Sequence, residues 1–130
     1  MPYLCTQLVI DSYNLAGNSN TFSTNTYSME RAWDNKSGYR VLKTNDEASL
    51  RQLRPGDVIF MFITYSADGL KHVVVIKNVE IDRNGNGKIT IHQANSYSTL
   101  NHYTVSRWKV FPNYRDDPNA RIYFGLGPRK

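Results

Sequence analysis

PGDVIFMFITYSADGLKHVVVIKNVEI, residues 55–81, is the stretch that decides the fold. Pro55-Gly56-Asp57 supplies a turn, and Val58–Thr64 is a dense apolar run suited to a buried strand. Ala67-Asp68-Gly69 supplies the next turn, and the strongly β-branched His72–Ile81 predicts another strand. Beyond it, Asp82–Gly87 reads as a third turn and Lys88–Gln93 alternates cleanly. Tyr97–Ser106 and Arg121–Leu126 complete the β region.

Upstream of Pro55 the pattern is helical. Cys5, Leu8, Val9, Tyr13 and Ala16 recur at three- and four-residue steps, which predicts a helix over Cys5–Ala16 stopped by Gly17. Residues 18–26 are rich in Asn, Ser and Thr and read as an exposed connection. A short helix is expected over Tyr27–Asn35, with Met29 and Trp33 on one face, then a brief strand over Tyr39–Leu42. Thr44-Asn45-Asp46-Glu47 has the capping-box pattern and opens a short helix reaching about Leu53. Helices first and an antiparallel sheet after them make an α+β domain, one unit spanning residues 1–130.

Composition narrows the class. At 40% apolar and 21% charged the chain is ordinary for a packed globular domain, and no stretch approaches a membrane span. No signal peptide opens the chain, so an export address, if there is one, is expected outside these residues. Of the net charge of +5, +4 falls in residues 105–130, where Arg107, Lys109, Arg115, Arg121, Arg129 and Lys130 face only Asp116 and Asp117. Such a basic region suits contact with an anionic polymer such as teichoic acid or nucleic acid, or is simply a solvated face. One cysteine cannot form an internal disulfide.

That cysteine stands at a helix start. A helix N-terminus and a neighbouring imidazole both lower a thiol pKa and turn a weak nucleophile into a thiolate. Cys5 has the first condition, and His72 can supply the second, since the two need only meet in space. The bland alternative is a core cysteine on an apolar stripe and a satisfied strand-end histidine.

The layout resembles the CHAP family, the cysteine- and histidine-dependent amidohydrolases and peptidases of bacterial cell walls and phage lysins, and the related NlpC-like endopeptidases. The pieces that carry it are Cys5-Thr6 with its helix, Arg54-Pro55-Gly56-Asp57-Val58-Ile59-Phe60, and His72-Val73-Val74-Val75-Ile76, with 67 positions from Cys5 to His72. The resemblance covers nearly the whole chain. It implies a papain-like fold, Cys5 as nucleophile, His72 as base, no cofactor, and peptidoglycan or another peptide amide as substrate. It also implies a secreted, wall-associated or phage-borne setting. Two features depart from the family: Leu4 stands where a Gln usually helps form the oxyanion hole, and only four residues precede Cys5, consistent with a piece of a larger protein.

Strand parity bears on the third polar residue. Ile89 and Ile91 share a face with Gln93 and Asn95, whereas His92 shares the other with Lys88 and Thr90. If the isoleucines face the core and the catalytic histidine, Gln93 or Asn95 orients the imidazole and His92 points to solvent. CHAP domains place Glu-x-Asn here, against Gln93-Ala94-Asn95 in this chain. NlpC-like members use a second histidine, which keeps His92 as the alternative.

Asp82 to Ile89 fits the first eight places of a calcium-binding loop, but position twelve is Gln93 and Asp82 is its only acid. The segment is read as a hairpin. The spacing of the histidines and Cys5 gives no zinc pattern. The expected function is amide hydrolysis through an acyl-enzyme. The alternatives are a non-catalytic basic wall- or polymer-binding domain on a degenerate hydrolase scaffold, or a toxin or effector amidase acting on another substrate.

Overall fold

A computed structural model describes residues 4–44, 46–93, 96–102 and 120–129, the third of these segments as backbone only. In chain order its elements are α1 (Cys5–Leu15), α2 (Thr26–Asn35), β1 (Arg40–Leu42), α3 (Glu47–Leu50), β2 (Val58–Phe62), β3 (Lys71–Ile81), β4 (Gly87–Gln93), β5 (Ser96–His102) and β6 (Arg121–Leu126). The strands form one sheet in the order β1-β6-β2-β3-β4-β5, and each neighbouring pair is antiparallel. The architecture is α+β, and its last strand inserts between the first and second. No helix among the described residues is long and apolar enough to cross a membrane.

β2 has no alternation because both of its faces are buried. Ile59 and Met61 join Val74, Ile76, Ile89, Ile91 and Phe124 on one side of the sheet. Val58, Phe60 and Phe62 join Val73, Val75 and the helix residues Leu8, Val9, Tyr13, Met29 and Trp33 on the other. A strand covered on both sides reads as a continuous apolar run, as residues 58–62 do. α1 therefore lies on the face shared by Val73 and Val75.

Trp33 anchors the helix side. It is fully buried, donates Nε1–H to the Leu126 carbonyl at 3.0 Å and stacks on Phe22 with centroids 5.1 Å apart. Gly125 leaves room for it: a Cβ there would lie 2.6 Å from Val58 Cγ2 and 2.7 Å from the Phe60 ring. The buried carboxylate of Glu30 is compensated by Lys43 Nζ at 2.6 Å and the Tyr65 hydroxyl at 2.5 Å.

Several boundaries differ from the sequence reading. The first strand after Pro55 ends at Phe62, because Ile63 N–H already closes the turn onto the Leu70 carbonyl at 2.9 Å. The cap of α3 is Asp46 and not Thr44: Asp46 Oδ1 accepts from Ser49 N–H at 2.9 Å, while the Thr44 hydroxyl pairs with that of Ser49 at 2.7 Å. Asp46 places its carboxylate three residues ahead of a free helical N–H, so it takes the capping role. Residues 103–106 of the strand expected over Tyr97–Ser106 lie outside the described residues, as do Arg107, Lys109, Arg115 and Lys130 of the basic region. Of the other two, Arg121 sits over the Tyr65 ring and Arg129 pairs with Asp57. The segment after β3 is a hairpin, with Asp82 Oδ1 accepting from Asn84 and Asn86 N–H at 2.8 and 3.0 Å.

One buried carboxylate ties the start of β2 to the end of β6. Asp57 Oδ1 accepts from Gly127 N–H at 2.9 Å and Arg129 Nη1 at 2.7 Å, and Oδ2 accepts from Arg54 N–H at 2.8 Å and Arg129 Nη2 at 2.9 Å. Tyr13 adds α1 to this knot by donating its hydroxyl to the Gly56 carbonyl at 2.6 Å. Burial, and then the Asp57 charge, hold that phenol well above its ordinary pKa. Asp57→Ala strands the buried Gly127 N–H and the Arg129 guanidinium, and is expected to cost about 3 kcal/mol in urea unfolding. Arg129→Ala should cost less than half of that, because water can replace a partly exposed guanidinium.

Candidate active site

α1 begins at Cys5 itself. Its N-cap, Leu4, has extended backbone angles and offers no side-chain hydrogen bond, and no acidic residue lies in the first turn. The positive end of the helix dipole is therefore left for whatever anion forms at Cys5. The thiol is half-buried and packs against the helix-side apolar cluster.

β3 supplies the second group. Ile63 N–H bonds to Leu70 O, and Ile76 N–H to Asp57 O. In an antiparallel ladder the bonded residues alternate, so even-numbered residues of β3 bond to β2 and odd-numbered ones point toward β4. Among the described residues the ladder with β4 runs from Val75↔His92, and β4 ends at Gln93, which pairs with Ser96 of β5. Val73 therefore lies ahead of the first described pair of that ladder, with its N–H directed away from β2. The Cys5 sulfur accepts a hydrogen bond from the Val73 N–H.

The face of the sheet on which His72 stands depends on one extra residue. The β3–β4 register shifts between Ile76 and Asn78, leaving Lys77 as a bulge. Before the bulge Val74 and Ile76 face the cluster of Ile89 and Ile91, whereas beyond it Val79 and Ile81 do. Counting back from Val79 without a bulge would place His72 on the opposite face. With it, His72 shares the face of Gln93, and His72 Nε2 lies 2.9 Å from Gln93 Oε1. The amide oxygen can only accept, so that ring nitrogen carries the proton and the other is left for the thiol.

The electrostatics follow from these contacts. Burial alone pushes the Cys5 thiol up. The His72 hydrogen bond, the Val73 N–H, the His72 charge and the Thr6 N–H together outweigh it and hold the thiol below its ordinary value of 9.0. Burial likewise pushes His72 down, but its bonds to Cys5 and Gln93 and the thiolate charge leave it above its ordinary 6.5. Opposite shifts on the two partners are what a thiolate–imidazolium pair produces.

Of the residues singled out from sequence, Cys5, His72 and Gln93 come together. Asn95 lies outside the described residues. His92 is on the other face, opposite Val75, and is half-buried where solvent exposure was expected, since that face is the one α1 packs on. Leu4 is 53% exposed and brings no donor to the site. The sequence reading missed the Val73 and Thr6 backbone donors. Among the described residues, no group of His, Cys, Asp and Glu is placed to hold a metal ion.

No known family model matches the chain, and neither a curated protein nor a solved structure matches it.

Iodoacetamide alkylation of Cys5 followed against pH is expected to show a midpoint below the ordinary 9.0. In His72→Ala two of the lowering contacts disappear while burial remains, so the midpoint should move up. A midpoint that is the same in both proteins would contradict the pairing.

Proposed function

We propose that this chain is a cysteine-dependent amide hydrolase of papain-like fold. The observation that carries the reading is the line of contacts from an uncapped helix start through Cys5 and His72 to Gln93. A thiol lowered by an imidazole that is itself oriented by an amide oxygen is equipped for nucleophilic catalysis.

The chemistry that fits these groups has two halves. The Cys5 thiolate adds to the amide carbonyl carbon. His72 passes its proton to the amine nitrogen as the C–N bond breaks, leaving a thioester on Cys5. Water then attacks the thioester carbonyl while His72 takes its proton. The C–S bond breaks, the carboxylic acid leaves and gives up its proton to solvent, and the thiolate–imidazolium pair is restored. Gln93 holds the imidazole through both halves. The oxyanion is best served by the Cys5 backbone N–H at the start of α1, since Leu4 has no donor to give.

Substrate choice rests on the resemblance to CHAP and NlpC-like hydrolases, which favours peptide amides of peptidoglycan and a wall-associated or phage-borne setting. A toxin or effector amidase would use the same pair on another amide. A binding domain on a decayed scaffold would not need a lowered thiol.

The test is release of free amino groups from purified peptidoglycan. Wild type is expected to release them and Cys5→Ala to release none above background; equal release by both would end the hydrolase reading. Within the active protein, Gln93→Ala should lower the rate roughly tenfold or more through misplacement of the base. His92→Ala should stay within about twofold of wild type.

A further inference from the structure

At the end of the sheet away from His72, four arginines line one basin. Arg40 opens β1 opposite Leu126, Arg51 and Arg54 follow α3, and Arg129 follows β6. The space is about 530 Å³ and, among the described residues, no Asp or Glu lines it. Spaces of roughly 300–1,000 Å³ are typical for small-molecule sites. His72 pairs with Met61 and Gly125 with Val58, so the basin lies roughly 15 Å from the Cys5–His72 pair along the strands.

The four guanidinium groups are not equivalent. Arg129 is held in a bidentate pair by Asp57, and Arg51 bonds Glu47 Oε1 at 2.7 Å and the Asp82 and Arg83 carbonyls at 3.1 and 3.0 Å. These two frame the basin with their charges largely answered. The side chains of Arg40 and Arg54 are exposed and have no hydrogen-bond or ion-pair partner among the described residues. Arg54 is nevertheless fixed at its backbone, whose N–H bonds to Asp57 Oδ2. Two unanswered guanidinium forks on anchored backbone, with no competing carboxylate in the lining, suit a compact dianion.

We propose that this basin is a binding site for a phosphate-bearing ligand, held by Arg40 and Arg54 and separate from the cysteine site. A phosphate near neutral pH carries close to two negative charges and three acceptor oxygens, against one charge on a carboxylate. It is therefore the class that matches two free arginines. The volume leaves room for more than one phosphate group, so the ligand is a pyrophosphate-like or phosphorylated small molecule, or one unit of a phosphate polymer.

Titration calorimetry of the full chain with pyrophosphate at low ionic strength tests this. One site per chain is expected. Arg40→Gln combined with Arg54→Gln should weaken it at least tenfold, in line with the loss of charge-assisted hydrogen bonds. Thermal melting of the double variant checks that the fold is intact. Arg31→Gln combined with Lys88→Gln removes the same net charge outside the basin and should leave the affinity nearly unchanged. Absence of binding, equal weakening by both pairs, or citrate binding as tightly as pyrophosphate would each overturn the proposal. A polyphosphate chain run in parallel separates sources: binding at the same site with displacement by pyrophosphate points to a polymer ligand, and binding of pyrophosphate alone to a small one.

Discussion

The bulge at Lys77 is the constraint on which the cysteine site depends. Lys77 shifts the pleat by one residue, which turns His72 to the face of Gln93. Val73, ahead of the first described β3–β4 pair, gives its N–H to the Cys5 sulfur. α1 lies on the opposite face from His72, yet its first residue reaches the Val73 N–H and the imidazole, so thiol and imidazole meet across the thickness of the sheet.

The same helix joins this site to the far end of the sheet. Cys5 is its first residue, while Tyr13, two turns later, bonds the Gly56 carbonyl beside the Asp57 knot. Asp57 in turn fixes the end of β6 through Gly127 and Arg129. The orientation of α1 is thus set at its C-terminal half by polar contacts and along its length by Leu8, Val9 and Tyr13 in the helix-side core. Placement of the thiol is a consequence of packing along the whole helix, in keeping with the close-packed interior around Trp33 and Phe60.

Much of the architecture is legible in the sequence for a simple reason. β2 is buried on both faces and reads as an unbroken apolar run, while β4 is not and reads as alternating. The parity of Ile89, Ile91 and Gln93 correctly separates Gln93 from His92 because β4 carries no bulge. On β3 parity alone could not have placed His72, because the register shifts between Ile76 and Asn78 and nothing in the composition of Lys77 announces the extra residue. The cap of α3 is misread for a related reason, since Thr44 and Asp46 both satisfy the pattern and only geometry chooses Asp46. Side chains that act through tertiary register, such as Asp57 with Arg129, have no local signature at all.

The central claim is that Cys5 and His72 form a thiolate–imidazolium pair. NMR titration of the His72 imidazole in wild type and in Cys5→Ala measures it directly. The account predicts a wild-type pKa above the ordinary 6.5 and a lower one in Cys5→Ala, where the thiolate charge and hydrogen bond are gone while burial remains. The same His72 titration in both proteins would show that the two residues do not share a proton, and would contradict the account.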